Sequence, residues 1–172
     1  MNRLTLFSMA VCTALVFGTS IHAQQQQPAP AGPPPAPRPY GPPITLEQAR
    51  KVAAAAEAES KKGLYPMAIA IVEPSGDLVL LVKLDNTQYA GPEIAIRKAR
   101  TSARFRLPTT VFFNAVEAGH PYLMSLTPDL TAADGGTVIV ENGKVIVAIG
   151  VSGAPSGSFD AAVARAGAAV IQ

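Results

Sequence analysis

Between residues 137 and 151 the chain reads as two apolar, β-branched runs separated by Asn142-Gly143. Asn and Gly tolerate the positive φ values of a type I′ turn, so this pattern predicts a tight hairpin with strands over 137–141 and 144–151. Val138, Ile139 and Val140 in one run, and Val145, Ile146, Val147 and Ile149 in the other, leave no polar face. Such strands need cover on both sides of their sheet. A second hairpin is predicted upstream, where apolar runs at 67–72 and 78–84 flank the turn sequence Glu73-Pro74-Ser75-Gly76.

The pattern changes to a helical period around these hairpins. Thr45 and Gln48 are spaced as a capping box, opening a helix through Ala49, Val52, Ala53 and Ala56 to Lys61-Lys62 and Gly63. Gly91-Pro92 opens a second helix over 93–105, with proline in the first turn where its missing donor does no harm. Leu107-Pro108-Thr109 breaks it, and Thr109 is placed to cap a short third helix over 110–118 that ends at Gly119. After the last strand, residues 150–157 permit sharp turns, and Ser158 is placed to cap an alanine-rich final helix. Helices on both faces of paired strands predict a three-layer α/β/α sandwich.

The first residues fall outside this pattern. Asn2-Arg3 precedes a mostly apolar run over 4–18, and Ile21-His22-Ala23 offers a small-residue cleavage end, so residues 1–23 read as a signal peptide. Cys12 lies within that run and is the only cysteine, which leaves the mature chain without thiol chemistry. Residues 24–43 are crowded with glutamine and proline and read as a disordered linker. The fold is then expected over 44–172, with an exported, periplasmic or secreted, location and no membrane span after cleavage.

Charge matters at one place. The net charge of +2 falls close to zero without Arg3, but the second helix sets Arg97, Arg100 and Arg104 on one face, flanked by Lys98 and Arg106, above a stripe of Ile96, Ala99 and Ala103. Two readings stand: a solvated face with a Glu93–Arg97 pair, or a grip for a carboxylate-bearing small molecule. Export, low overall charge and the lack of interleaved aromatics argue against nucleic acid.

The least regular part, residues 120–134, holds His120, the only histidine after the signal. His120, Tyr122, Met124, Thr127 and Thr131 carry groups that ligate iron or line a tetrapyrrole site, although a lone loop histidine is commonly just solvated. Residues 153–158 are a second candidate anion grip, or simply the turn that a strand-to-helix exit requires. Structural zinc, Walker A, H-E-x-x-H and nucleophile-elbow patterns are missing.

Residues 148–160, followed by Ala164-Arg165-Ala166-Gly167-Ala168-Ala169, resemble the C-terminal signature of the GlcG/HbpS-like (DUF336) haem-binding family. Residues 72–78 and 96–105, Pro108-Thr109 and Gly135-Gly136 are similar to its other motifs in the same order. The resemblance implies an α/β, profilin-like three-layer α/β/α sandwich with a central antiparallel sheet, haem as cofactor, oligomer formation and, for some secreted members, iron handling or partnership with a sensor. It also implies a haem threonine just before the Gly-Gly pair, for which Thr131 is the best match. Some secreted relatives carry two acids at i, i+3; here Glu93 is present but Ile96 replaces the second, so that metal site is half missing.

The expectation is an exported haem-binding protein without a dedicated catalytic residue set. His120, Tyr122, Thr131, Arg97 and Arg104 are its candidate cofactor residues and Glu93 its candidate metal ligand. The alternative is an enzyme or enzyme accessory that takes a small carboxylate. Ala53, Ala56, Ala162, Ala166 and Ala169 are expected to leave apolar helix surface for a homo-oligomer.

Overall fold

The structure is a computed structural model, and it describes residues 36–171. Residues 1–23, expected to be a signal peptide, and residues 24–35 of the expected linker lie outside the described residues. Four α-helices, α1 (Leu46–Lys62), α2 (Gly91–Phe105), α3 (Thr110–Glu117) and α4 (Gly157–Ala168), accompany four strands, β1 (Ala68–Val72), β2 (Leu78–Lys83), β3 (Gly136–Glu141) and β4 (Lys144–Ser152). The strands form one sheet in the order β2-β1-β4-β3, and every neighbouring pair is antiparallel. Asn142 and Gly143 both take positive φ, 50° and 75°, as a type I′ turn requires.

The two faces of this sheet differ in side-chain size, and that difference sets the layers. Ile69, Ile71, Ile149 and Val151 point to one side and bury against α1 and α4, each fully buried aliphatic contributing about 1.5–3 kcal/mol. Ala68, Ala70 and Ala148 point to the other side, where Ala95, Ala99 and Ala103 of α2 meet them. Gly150 completes this small face: a Cβ there would run into the Ala95 carbonyl and come within 2.5 Å of the Ala99 nitrogen. The predicted three-layer sandwich is the observed one.

Thr45 and Gln48 form both halves of the capping box, with the Gln48 amide donating to Thr45 Oγ1 at 3.2 Å and the Thr45 amide to Gln48 Oε1 at 2.9 Å. Gly63 follows α1, yet its φ is −90° and it is Leu64 that turns left-handed at 60°. Gly63 is small for a different reason, because any Cβ would collide with the Phe159 ring of α4.

Several expectations need correcting. Ser156, not Ser158, occupies the N-cap position of α4 without a side-chain capping bond, and Ser158 sits inside the first turn beside it. Thr109 does not cap α3 through its side chain; its Oγ1 accepts from the Gly136 amide at 2.9 Å, binding the helix junction to β3. The apolar stripe of α2 is Ala95, Ala99 and Ala103, with Ile96 half-buried beside it. Ala53 and Ala56 leave no surface for a second copy, since both are buried inside the domain where α1 packs on α4.

The boundary of the fold also lies earlier than Ile44. Residues 39–41 run beside β4, with the Gly41 amide donating to Val145 O at 2.8 Å and the Val145 amide to Pro39 O at 2.9 Å. The Tyr40 hydroxyl lies 3.0 Å from both the Ala103 and Arg104 carbonyls at the end of α2, and Arg106 covers its ring at 5.1 Å.

Candidate functional site

The cationic face of α2 is real, and most of its guanidinium groups hold neighbouring backbone. Arg100 Nε donates to Gly76 O at 3.0 Å and Arg104 Nε to Ser75 O at 3.2 Å, tying the β1–β2 turn to the helix. Arg97 Nη2 donates to Pro128 O at 3.1 Å, while its Nη1 lies 3.9 Å from Glu93 Oε1. Arg104 Nη1 reaches Asp129 Oδ2 at 3.0 Å. Between these arginines Thr101 Oγ1 donates to Asp129 O at 3.3 Å and accepts from the Thr131 amide at 2.9 Å. Residues 128–131 are thus clamped along α2.

A cleft of 530 Å³ opens at this clamp, lined by Glu93, Ile96, Arg97, Arg100 and Asp129. Arg97 Nε is buried without a hydrogen-bond partner among the described residues. A larger cleft of 580 Å³ lies at the end of α1, but its Glu57 and Lys61 already pair with each other at 2.8 Å.

The sequence candidates divide into two groups. Arg97, Arg104 and Thr131 come together through the clamp, with Glu93 on the same cleft. His120 and Tyr122 sit apart, on a small hairpin formed by α3 and a 3₁₀ helix, Pro121–Ser125, within the segment expected to be irregular. Their rings make an edge contact at 6.0 Å; His120 is exposed and Tyr122 is 64% exposed. Glu93 has no acidic partner at position 96, and among the described residues no cluster of three metal-ligating side chains occurs.

Lys98 was expected to flank the solvated arginines, but it faces inward and is only 3% exposed. Its ammonium lies 2.7 Å from Asp160 Oδ2 and 3.0 Å from Val151 O, while Asp160 Oδ1 accepts from the Ala154 amide at 3.0 Å. Burial raises the Asp160 carboxyl above its ordinary range, against the pull of Lys98 and of the Ala154 and Gly153 amides. This pair joins α2, β4 and α4. Asp160 also occupies the Gly153 and Ala154 amides of the 153–158 turn, and Asp134 packs against Gly157. A smaller cavity of 360 Å³ remains beside Ser156, Ser158, Asp134 and Phe113.

The fold and this clamp define a class: a profilin-like α/β/α domain with a cationic helix face, a loop laid along it and a glycine-rich exit into the last helix. Residues 44–169 match the family described as "Haem degrading protein HbpS-like". GlcG of Escherichia coli K12 is 34% identical over 109 residues, covering 63% of this chain and 81% of GlcG. The crystal structure of a double mutant of Streptomyces reticuli HbpS is 32% identical with a TM-score of 0.71, over 84% of this chain and 97% of HbpS. The crystal structure of a PduOC:haem complex, 22% identical over 76% of this chain and 96% of PduOC, shares the fold with a TM-score of 0.70. The chain belongs to the HbpS-like family.

Proposed function

We propose that the chain is an exported haem-binding protein that handles or senses haem or its iron. The cleft beside α2 carries this reading. Ile96 gives it an apolar wall, and Arg97 and Arg100 give it two guanidinium groups, with Arg104 next along the helix holding the Asp129 carboxylate that also lines it. A flat apolar body bearing two carboxylates matches such a wall, since charge-assisted hydrogen bonds to arginine are the stronger kind. The family's description concerns haem degradation, and PduOC is a haem complex in its crystal structure.

Haem supplies a redox-active, Lewis-acidic iron when bound. The residues of this chain that would hold and orient it are Arg97 and Arg104 for the propionates and the segment from His120 to Thr131 for the iron ligand. Thr131 is carried by the clamped end of that segment, whereas His120 offers a solvent-facing imidazole from its far end. Export rests on the signal-like sequence before Gln24, and intact mass of exported material tests it, the expected mass being that of a chain that begins there.

Haem titration followed by absorption tests the reading. His120→Ala or Thr131→Ala weakens binding or shifts the Soret band, according to which side chain is the ligand. Arg97→Ala weakens binding with little spectral change. Failure of the wild-type chain to develop a Soret band refutes haem binding, and identical titrations in all three variants refute this placement.

A further inference from the structure

We infer that Asp129 is an internal counter-anion, held on the cationic face of α2 until a ligand carboxylate displaces it. The inference rests on the proposed reading of the cleft as a carboxylate site, and it names the residue that sets how tightly that site binds. Asp129 lines the cleft with Arg97 and Arg100, and its carboxylate lies 3.0 Å from Arg104 one turn further along the helix. The neighbouring Pro128 carbonyl occupies Arg97 Nη2 at 3.1 Å. One loop therefore fills two guanidinium groups with its own oxygens, in the positions where a ligand's carboxylates would sit.

The hold has two tiers of different strength. The Arg104–Asp129 pair is 44% and 48% exposed on its two sides, and an exposed pair exchanges partners at little cost. The bonds of Thr101 to the Asp129 carbonyl and the Thr131 amide belong to a residue only 2% exposed. A carboxylate ligand can thus replace the Asp129 side chain while Thr101 keeps the loop backbone on α2. The exchange trades one carboxylate for another on the same arginine, so it forms no net ion pair.

The test is a titration of haem and of iron-free protoporphyrin IX into the wild-type chain, Asp129→Asn and Asp129→Glu, at several salt concentrations. Iron-free porphyrin isolates the carboxylate exchange from ligation. Removing the internal competitor tightens binding by about twofold to fivefold, the size of one exposed ion pair. It also steepens the salt dependence, because the ligand then adds an ion pair instead of exchanging one. Asp129→Glu restores the wild-type affinity and the shallow dependence. Circular dichroism checks that each variant is folded. Wild-type binding that is unchanged or weakened in Asp129→Asn, with an unaltered salt slope, overturns the inference and leaves the haem reading intact. Binding by none of the chains overturns both.

Discussion

The Lys98–Asp160 pair gives the sharpest stability prediction. Asp160→Ala leaves a 3% exposed ammonium with the Val151 carbonyl as its one hydrogen-bond partner among the described residues. Lys98→Ala leaves a 3% exposed carboxylate with backbone amides alone. Removing one partner of a buried pair costs about 3–5 kcal/mol, because the other charge stays out of water uncompensated. For a domain of this size that lowers Tm by roughly 10 °C or more. Replacing both residues, Lys98→Ala with Asp160→Ala, costs much less than the sum, since no charge is then stranded. Urea denaturation of the four chains closes the cycle. A loss of under about 1 kcal/mol in Asp160→Ala, or strict additivity, refutes the argument. The pH dependence follows from the same burial. A carboxyl whose pKa is higher folded than unfolded binds more protons in the folded state between the two values. Stability therefore falls as pH rises from the ordinary carboxylate range through the raised value, and Asp160→Asn flattens that part of the curve.

Two further predictions concern close packing. Ala56 is fully buried between α1 and α4, so Ala56→Glu strands a carboxylate in the core and unfolds the domain instead of splitting an oligomer; a folded variant of reduced mass by light scattering would contradict this. Gly150→Ala drives a methyl into the backbone of α2 and costs about 1–3 kcal/mol or more, and an unchanged melting temperature would show that α2 can retreat from the sheet.

Local chemistry made much of this fold legible from sequence. Asn142-Gly143, the Thr45–Gln48 box and Gly91-Pro92 each act within a few residues, and each sits where the pattern placed it. Contacts between distant segments were not legible. Lys98 lies one position from Arg97, a rotation of about 100° around a helix, which separates solvent from core. Its partner follows it by 62 residues, and no periodicity links them. Asp129 escaped notice for a related reason: its role depends on a loop returning to α2 across 25 residues, and a single acid in a loop carries no spacing signal. Thr109 was read as a cap because its type and local position suit one, and only the approach of Gly136 reveals the other use of its hydroxyl.

The docked residues 39–41 precede the region matched by the family, which begins at residue 44. Tension on the chain at Arg38 would therefore first load the two backbone bonds to Val145 and the Tyr40 hydroxyl before reaching the shared domain. Trimming the protein at Ile44 would detach this mooring and leave the Ala103 and Arg104 carbonyls without the hydroxyl that now faces them. Residues 39–41 are thus moored at the end of α2, the same helix whose Arg97, Thr101 and Arg104 side chains grip the loop.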